Sequence, residues 1–95
     1  MSIPGTPITK FQAISAVATT VNLKRICRQM MISLDPGSSD IYLTFDGTTP
    51  TVGGAGTFKI AGGTTWTSPA NVNLGIDSFK FIGSGSVGNM SILAG

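Results

Sequence analysis

The chain has 95 residues, one cysteine and no histidine, so it can hold neither an internal disulfide nor an imidazole-based zinc or nucleophile site. Charged residues make up 11% of it, none of them glutamate, against about 25% in ordinary globular proteins, which argues against a long helical bundle. The net charge is only +2, and the length suits one small domain that lacks the usual internal staples and so leans on oligomerisation or docking.

The opening Ser2-Ile3-Pro4-Gly5-Thr6-Pro7 is turn and extended chemistry, because proline fixes its own φ and pushes the preceding residue away from helix. It predicts an extended N-terminal arm over residues 1–10, followed by one domain over residues 11–95. Phe11 to Val21 is rich in Thr, Val, Ile and Ala and predicts a strand.

Asn22 to Leu34 is open to two readings. Leu23, Ile26, Cys27, Met30, Met31 and Leu34 have helical spacing, with Asn22 as a candidate N-cap. The rival is a strand over 28–34 with Met30, Ile32 and Leu34 inward. The turn cluster Asp35-Pro36-Gly37-Ser38-Ser39-Asp40, leading into the strand Ile41-Tyr42-Leu43-Thr44-Phe45, favours the second reading as one arm of a hairpin.

The rest reads as β. Asp46 to Thr51 turns the chain and Val52 to Gly56 is a loop. Thr57–Ala61 and Thr64–Thr67 are short strands joined by a hairpin-type turn at Gly62-Gly63. Ser78–Ile82 and Val87–Ala94 close the domain. Short strands punctuated by Gly, Pro and Asn predict an all-β fold, a small antiparallel β-sandwich or jelly-roll-like barrel.

Chemistry is scarce. Cys27 reads as a buried apolar residue rather than a nucleophile, and Asp35, Asp40 and Asp46 as turn formers. Gly53 to Gly56 lacks the Lys-Ser/Thr of a phosphate loop. We therefore expect no catalytic residue, no cofactor and no metal site. Residues 1–34 carry Lys10, Lys24, Arg25 and Arg28 and no acid, whereas residues 35–95 carry Asp35, Asp40, Asp46 and Asp77 against Lys59 and Lys80. That split suggests head-to-tail packing of copies, or docking of the basic part on an acidic surface. The basic residues lack interleaved aromatics, which disfavours nucleic acid. Tyr42 and Trp66 are the remaining candidates for partner binding, Tyr42 as an exposed residue and Trp66 as either exposed or core.

Two resemblances arise from these segments. Ile41-Tyr42-Leu43-Thr44-Phe45-Asp46-Gly47-Thr48-Thr49-Pro50-Thr51 resembles the hairpin motif of chitobiase-type C-terminal β-sandwich modules, in which it is not catalytic. The wider layout, an Arg-bearing strand over Arg28–Leu34, then Ile41–Phe45, then Thr57–Trp66 around Gly62-Gly63, and a closing pair, is similar to small β-sandwich virion proteins of tailed bacteriophages. This second resemblance implies a head decoration or cement protein, often a homotrimer, whose partner is the major capsid protein. A carbohydrate-binding or receptor-binding module of a tail or neck assembly is the alternative. With no apolar leader in Met1 to Thr9 and no membrane-length apolar run, the expectation is a protein made in the host cytoplasm and placed in the virion.

Overall fold

The structure, a computed structural model, describes residues 7–95, and among them there is no helix. Eight strands follow one another: β1 (Ile8–Ala13), β2 (Thr19–Cys27), β3 (Met30–Leu34), β4 (Ile41–Thr44), β5 (Phe58–Ile60), β6 (Thr65–Thr67), β7 (Ile76–Gly83) and β8 (Asn89–Ala94). They form two four-stranded antiparallel sheets, one ordered β1-β8-β3-β6 and the other β2-β7-β4-β5. Every connection except β4–β5 carries the chain from one sheet to the other. Eight strands wound this way make a jelly-roll sandwich.

Alternation along each strand builds the core. Ile32, Leu34 and Met30 on β3, with Met90 and Ile92 beside them on β8, face Ile41 and Leu43 on β4 and Phe79 and Phe81 on β7, all buried. Burying a side chain of this size contributes about 1.5–3 kcal/mol each. Phe81, Ile41 and Leu43 have no exposed surface, as expected for the middle of two stacked sheets.

Two expectations are corrected by this winding, while the favoured strand reading of residues 28–34 holds as β3. Neither the β3–β4 nor the β5–β6 connection is a hairpin: Asp35 to Asp40 and Gly62-Gly63 each turn the chain from one sheet across to the other. Phe11 to Val21 is not one strand but the end of β1, a corner at Ile14 to Ala18, and the start of β2. The helical spacing over 22–34 comes from two-residue alternation, which runs unbroken from Leu23 to Cys27, with one phase change at the turn that follows. β2 pairs with β7 at Asn22↔Ser78 and again at Cys27↔Ile76, so a bulge separates the inward Leu23 from the inward Cys27. Asn22 Oδ1 accepts the Lys24 N–H at 2.8 Å, and Lys24 takes a left-handed φ of 67°. The turn at Arg28-Gln29 then sets Met30 inward. Spacings of four and three result without any helix, and Ile26, which a helix would bury, is 64% exposed.

The first six residues of the expected arm lie outside the described residues. Ile8, Thr9 and Lys10 already pair with Ala94, Leu93 and Ile92 on β8.

One pole of the sandwich collects the corners at 14–18, 35–40, 61–64 and 84–88, and they are tied together tightly. Ser39 N–H donates to Val87 O at 2.9 Å, Ser84 N–H to Asp40 O at 2.9 Å, Ile14 N–H to Gly88 O at 3.0 Å and Gly83 N–H to Ser15 O at 2.7 Å. Gly62 passes so close to Ser38 that a Cβ there would overlap the Ser38 carbonyl oxygen. The opposite pole holds the β2–β3 turn, the long β4–β5 loop and the β6–β7 loop. There Gln29 is a hub: its Nε2 donates to Val72 O at 3.0 Å, its Oε1 accepts from Ser68 Oγ at 3.0 Å, and Ser68 Oγ in turn accepts from Met30 N–H at 2.9 Å.

Candidate interaction surfaces

The side chains singled out in the sequence do not converge on one site. Lys10 is on β1, in the inward-facing row opposite Ile92, half-buried at a sheet edge. An ammonium there must reach water past the edge. Lys24 and Arg25 sit in the β2 bulge of the other sheet, and Arg28 in the turn that follows. Lys24, Arg25 and Arg28 thus gather at the pole opposite the tied corners. Among the described residues none of them makes an ion pair; the ion pair present is Lys59–Asp40, at 3.6 Å near the other pole. Lys24 and Arg28 are exposed. Arg25 is half-buried, and its Nη2 is buried with no hydrogen-bond partner.

Tyr42 and Trp66 point to different places. Tyr42 lies on the outer face of its sheet, level with Ile82 and Lys59. Trp66 is opposite the buried Ile32 and faces inward, where it closes the gap between β6 and β5. Its ring stacks on Phe45 at 6.0 Å and 26° and meets Phe58 at 5.2 Å and 58°, while Phe45 also touches Phe79 at 6.2 Å. The two rings therefore form no shared platform on which a sugar could stack.

Two of the four aspartate carboxylates, Asp40 and Asp46, are engaged within the turns. Asp46 Oδ1 accepts both the N–H and the hydroxyl of Thr48, at 3.1 and 2.6 Å, and these two bonds hold its carboxyl below the usual range. Gly47 between them has a φ of 86°, and its carbonyl accepts from Lys80 Nζ at 3.0 Å. Asp40 Oδ1 accepts the Gly62 N–H at 2.8 Å, which with the Lys59 charge lowers its pKa. Asp40 is thus not only a local turn former: it binds the 35–40 corner to the 61–64 corner. Asp35 contributes its carbonyl, which accepts from Ser38 N–H at 3.1 Å. Among the described residues no three potential metal-ligating side chains of the Cys and Asp kinds come together. Cys27 is 0% exposed.

What sequence reasoning missed is a contrast between the two outer faces. On the β1-β8-β3-β6 sheet the outward rows run Thr9, Leu93, Met31, Thr67 and Phe11, Ser91, Ser33, Thr65, with no charge. Phe11 is 69% exposed, and Met31 and Leu93 stand side by side as a partly exposed apolar ridge. A shallow groove lies on each side of the ridge, one bordered by Thr9, Lys10, Phe11, Ser33 and Ser91, the other by Pro7, Gln29, Thr67 and Gly95. The outer face of the other sheet carries Lys59 and Lys80, with Lys24 at its edge. Along their own strands Met31 and Leu93 alternate with buried neighbours, a local pattern. That three separate strands bring these two and Phe11 onto one face is not local.

No family model matches the chain, and no curated protein matches it in sequence. Among solved structures it is similar to a chain of the Bacillus endospore appendages, described as a novel family of disulfide-linked pili. The two are 16% identical, with a TM-score of 0.56 over 94% of this chain and 84% of that one. At that identity the likeness is one of fold: an all-β, two-sheet sandwich.

Proposed function

We propose that this chain is a non-catalytic structural subunit that works by assembly, and specifically that it decorates the head of a tailed phage as a cement protein, as an oligomer bound across subunits of the major capsid protein. The observation that carries this reading is the basic pole. Lys24, Arg25 and Arg28 gather there, none of them in an ion pair among the described residues, and no acidic residue lies near them in sequence. Such a pole suits an acidic shell surface and would give salt-dependent docking. The low charge and the lack of an internal staple also fit a subunit whose neighbours supply part of its stability.

The test is co-sedimentation with intact particles. Wild type should pellet with them, and occupancy should fall as salt rises. Lys24→Glu with Arg28→Glu, both at exposed positions, should lower occupancy at least tenfold. Unchanged occupancy of that variant would remove the support for docking by this pole.

A fibre subunit is the second reading, favoured by the fold likeness to an appendage chain. The chemistry would differ from a disulfide-linked fibre, because the single thiol, Cys27, is fully buried in the folded subunit. Any fibre of this chain would be held without covalent links through Cys27. Electron microscopy of the concentrated protein separates the two readings: filaments favour the fibre, and discrete small particles that bind heads favour the cement protein.

A further inference from the structure

We infer that the outer face of the β1-β8-β3-β6 sheet, whose outward rows carry no charge, is a self-association surface, on which a second copy of this chain packs face to face about a two-fold axis. This inference is independent of the virion reading and holds for either assembly.

The choice of occupant follows from charge. In a two-fold contact each surface meets its own copy, so a face whose charges are of one sign brings like charges together. The lysine-bearing outer face of the other sheet would set Lys59 and Lys80 against themselves, which is unfavourable. The outward rows around Met31 and Leu93 carry no charge, and Lys10, which lines the groove beside Phe11, sits on the edge strand where its ammonium can stay in water, so this face can meet itself at less cost. Its relief suits the same contact. A ridge flanked by a groove on either side is self-complementary, since the Met31–Leu93 ridge of one copy can enter a groove of the other, with Phe11 covering the flank.

The sheet edges argue for a face rather than an edge. β1 turns Lys10 inward, and Pro7 precedes it. β2 is bent by its bulge at Lys24, and β5 and β6 are three residues long. Inward charge, bulges and shortness all block strand addition.

Four strands spaced about 4.8 Å apart and about 20 Å long give a plan area of roughly 400 Å² per copy. That is well below the ~800 Å² per partner of a stable interface. The pair should therefore be reversible, with a mass that depends on concentration.

The experiment is light scattering of the purified full chain over a dilution series. The mass should rise from that of the 9.7 kDa protomer toward twice that value as concentration increases. Phe11→Ser with Met31→Lys, both at exposed positions, should hold the mass at one protomer while leaving the thermal transition in place. A bismaleimide crosslinker should trap a dimer of Ser91→Cys and not of Thr20→Cys, which lies on the other outer face; the buried Cys27 leaves both backgrounds silent. A protomer mass at every concentration, a trimer, or a dimer that survives Phe11→Ser with Met31→Lys would each overturn the inference. So would a monomer whose double variant loses particle binding, because the face would then belong to a foreign protein.

Discussion

Trp66 on β6 stacks against Phe45, the residue that follows β4, at 6.0 Å between ring centroids and 26° between planes. The two come from different sheets, and with Phe58 they seal the side of the sandwich where β5 and β6 run next to each other. Replacing Trp66 should be a stability change first. Trp66→Ala is expected to cost about 2–3 kcal/mol, toward the lower end for large aromatics because the ring is half-buried. Urea denaturation should show a lower midpoint with an unchanged slope.

Glycines at two corners should respond differently. Gly62→Ala places a Cβ against the Ser38 carbonyl, which is backbone and cannot rotate away, so about 2–3 kcal/mol of overpacking is expected. Gly47→Ala meets open space and only the left-handed φ of 86°, for about 1–2 kcal/mol. Thermal melts of the two variants should rank in that order.

Arg25 offers a stabilising change. Its Nη2 is buried without a partner, and such a group forfeits its hydration with nothing in return. Arg25→Met keeps an unbranched stem and removes the orphan nitrogen. The variant should gain about 1 kcal/mol in chemical denaturation, where a loss would mean the guanidinium is satisfied in solution.

Acid should loosen the corners. The Asp40 and Asp46 carboxyls are held below their unfolded values, chiefly by the Gly62 N–H and by Thr48 respectively. A depressed carboxylate contributes stability that is present above the unfolded pKa, about 3.9, and is lost as the pH falls through the lower folded value. Melting temperature should be level from pH 7 to about 5 and fall below about 4. Asp40→Asn should flatten part of that fall, and an unchanged acid limb in this variant would exclude Asp40 as a source.

The buried thiol gives a direct check of the packing. Cys27 should resist a thiol reagent in buffer and react fully in denaturant. Cys27→Ser buries a hydroxyl whose one acceptor at hand is the Arg25 carbonyl, now 3.6 Å from the sulfur, and should cost about 1 kcal/mol.

By itself the sequence determined the all-β class, the position of most strands and the inward set Met30, Ile32 and Leu34, because alternation and turn chemistry act within a few residues. It also placed Cys27 in the core. It did not determine which sheet each strand joins. Asp35 to Asp40 and Gly62-Gly63 have the same local chemistry whether they fold a strand back beside itself or carry it across to the other sheet. Only the packing of residues far apart in the chain, such as Ile32 against Ile92 and Tyr42 against Ile82, makes that choice. The same holds for the interaction surfaces. Lys24, Arg25 and Arg28 were adjacent from the start, but the tertiary structure set them at one pole and brought Phe11, Met31 and Leu93 onto one face whose outward rows carry no charge, since neighbours across a sheet are decided by strand order and not by distance along the chain.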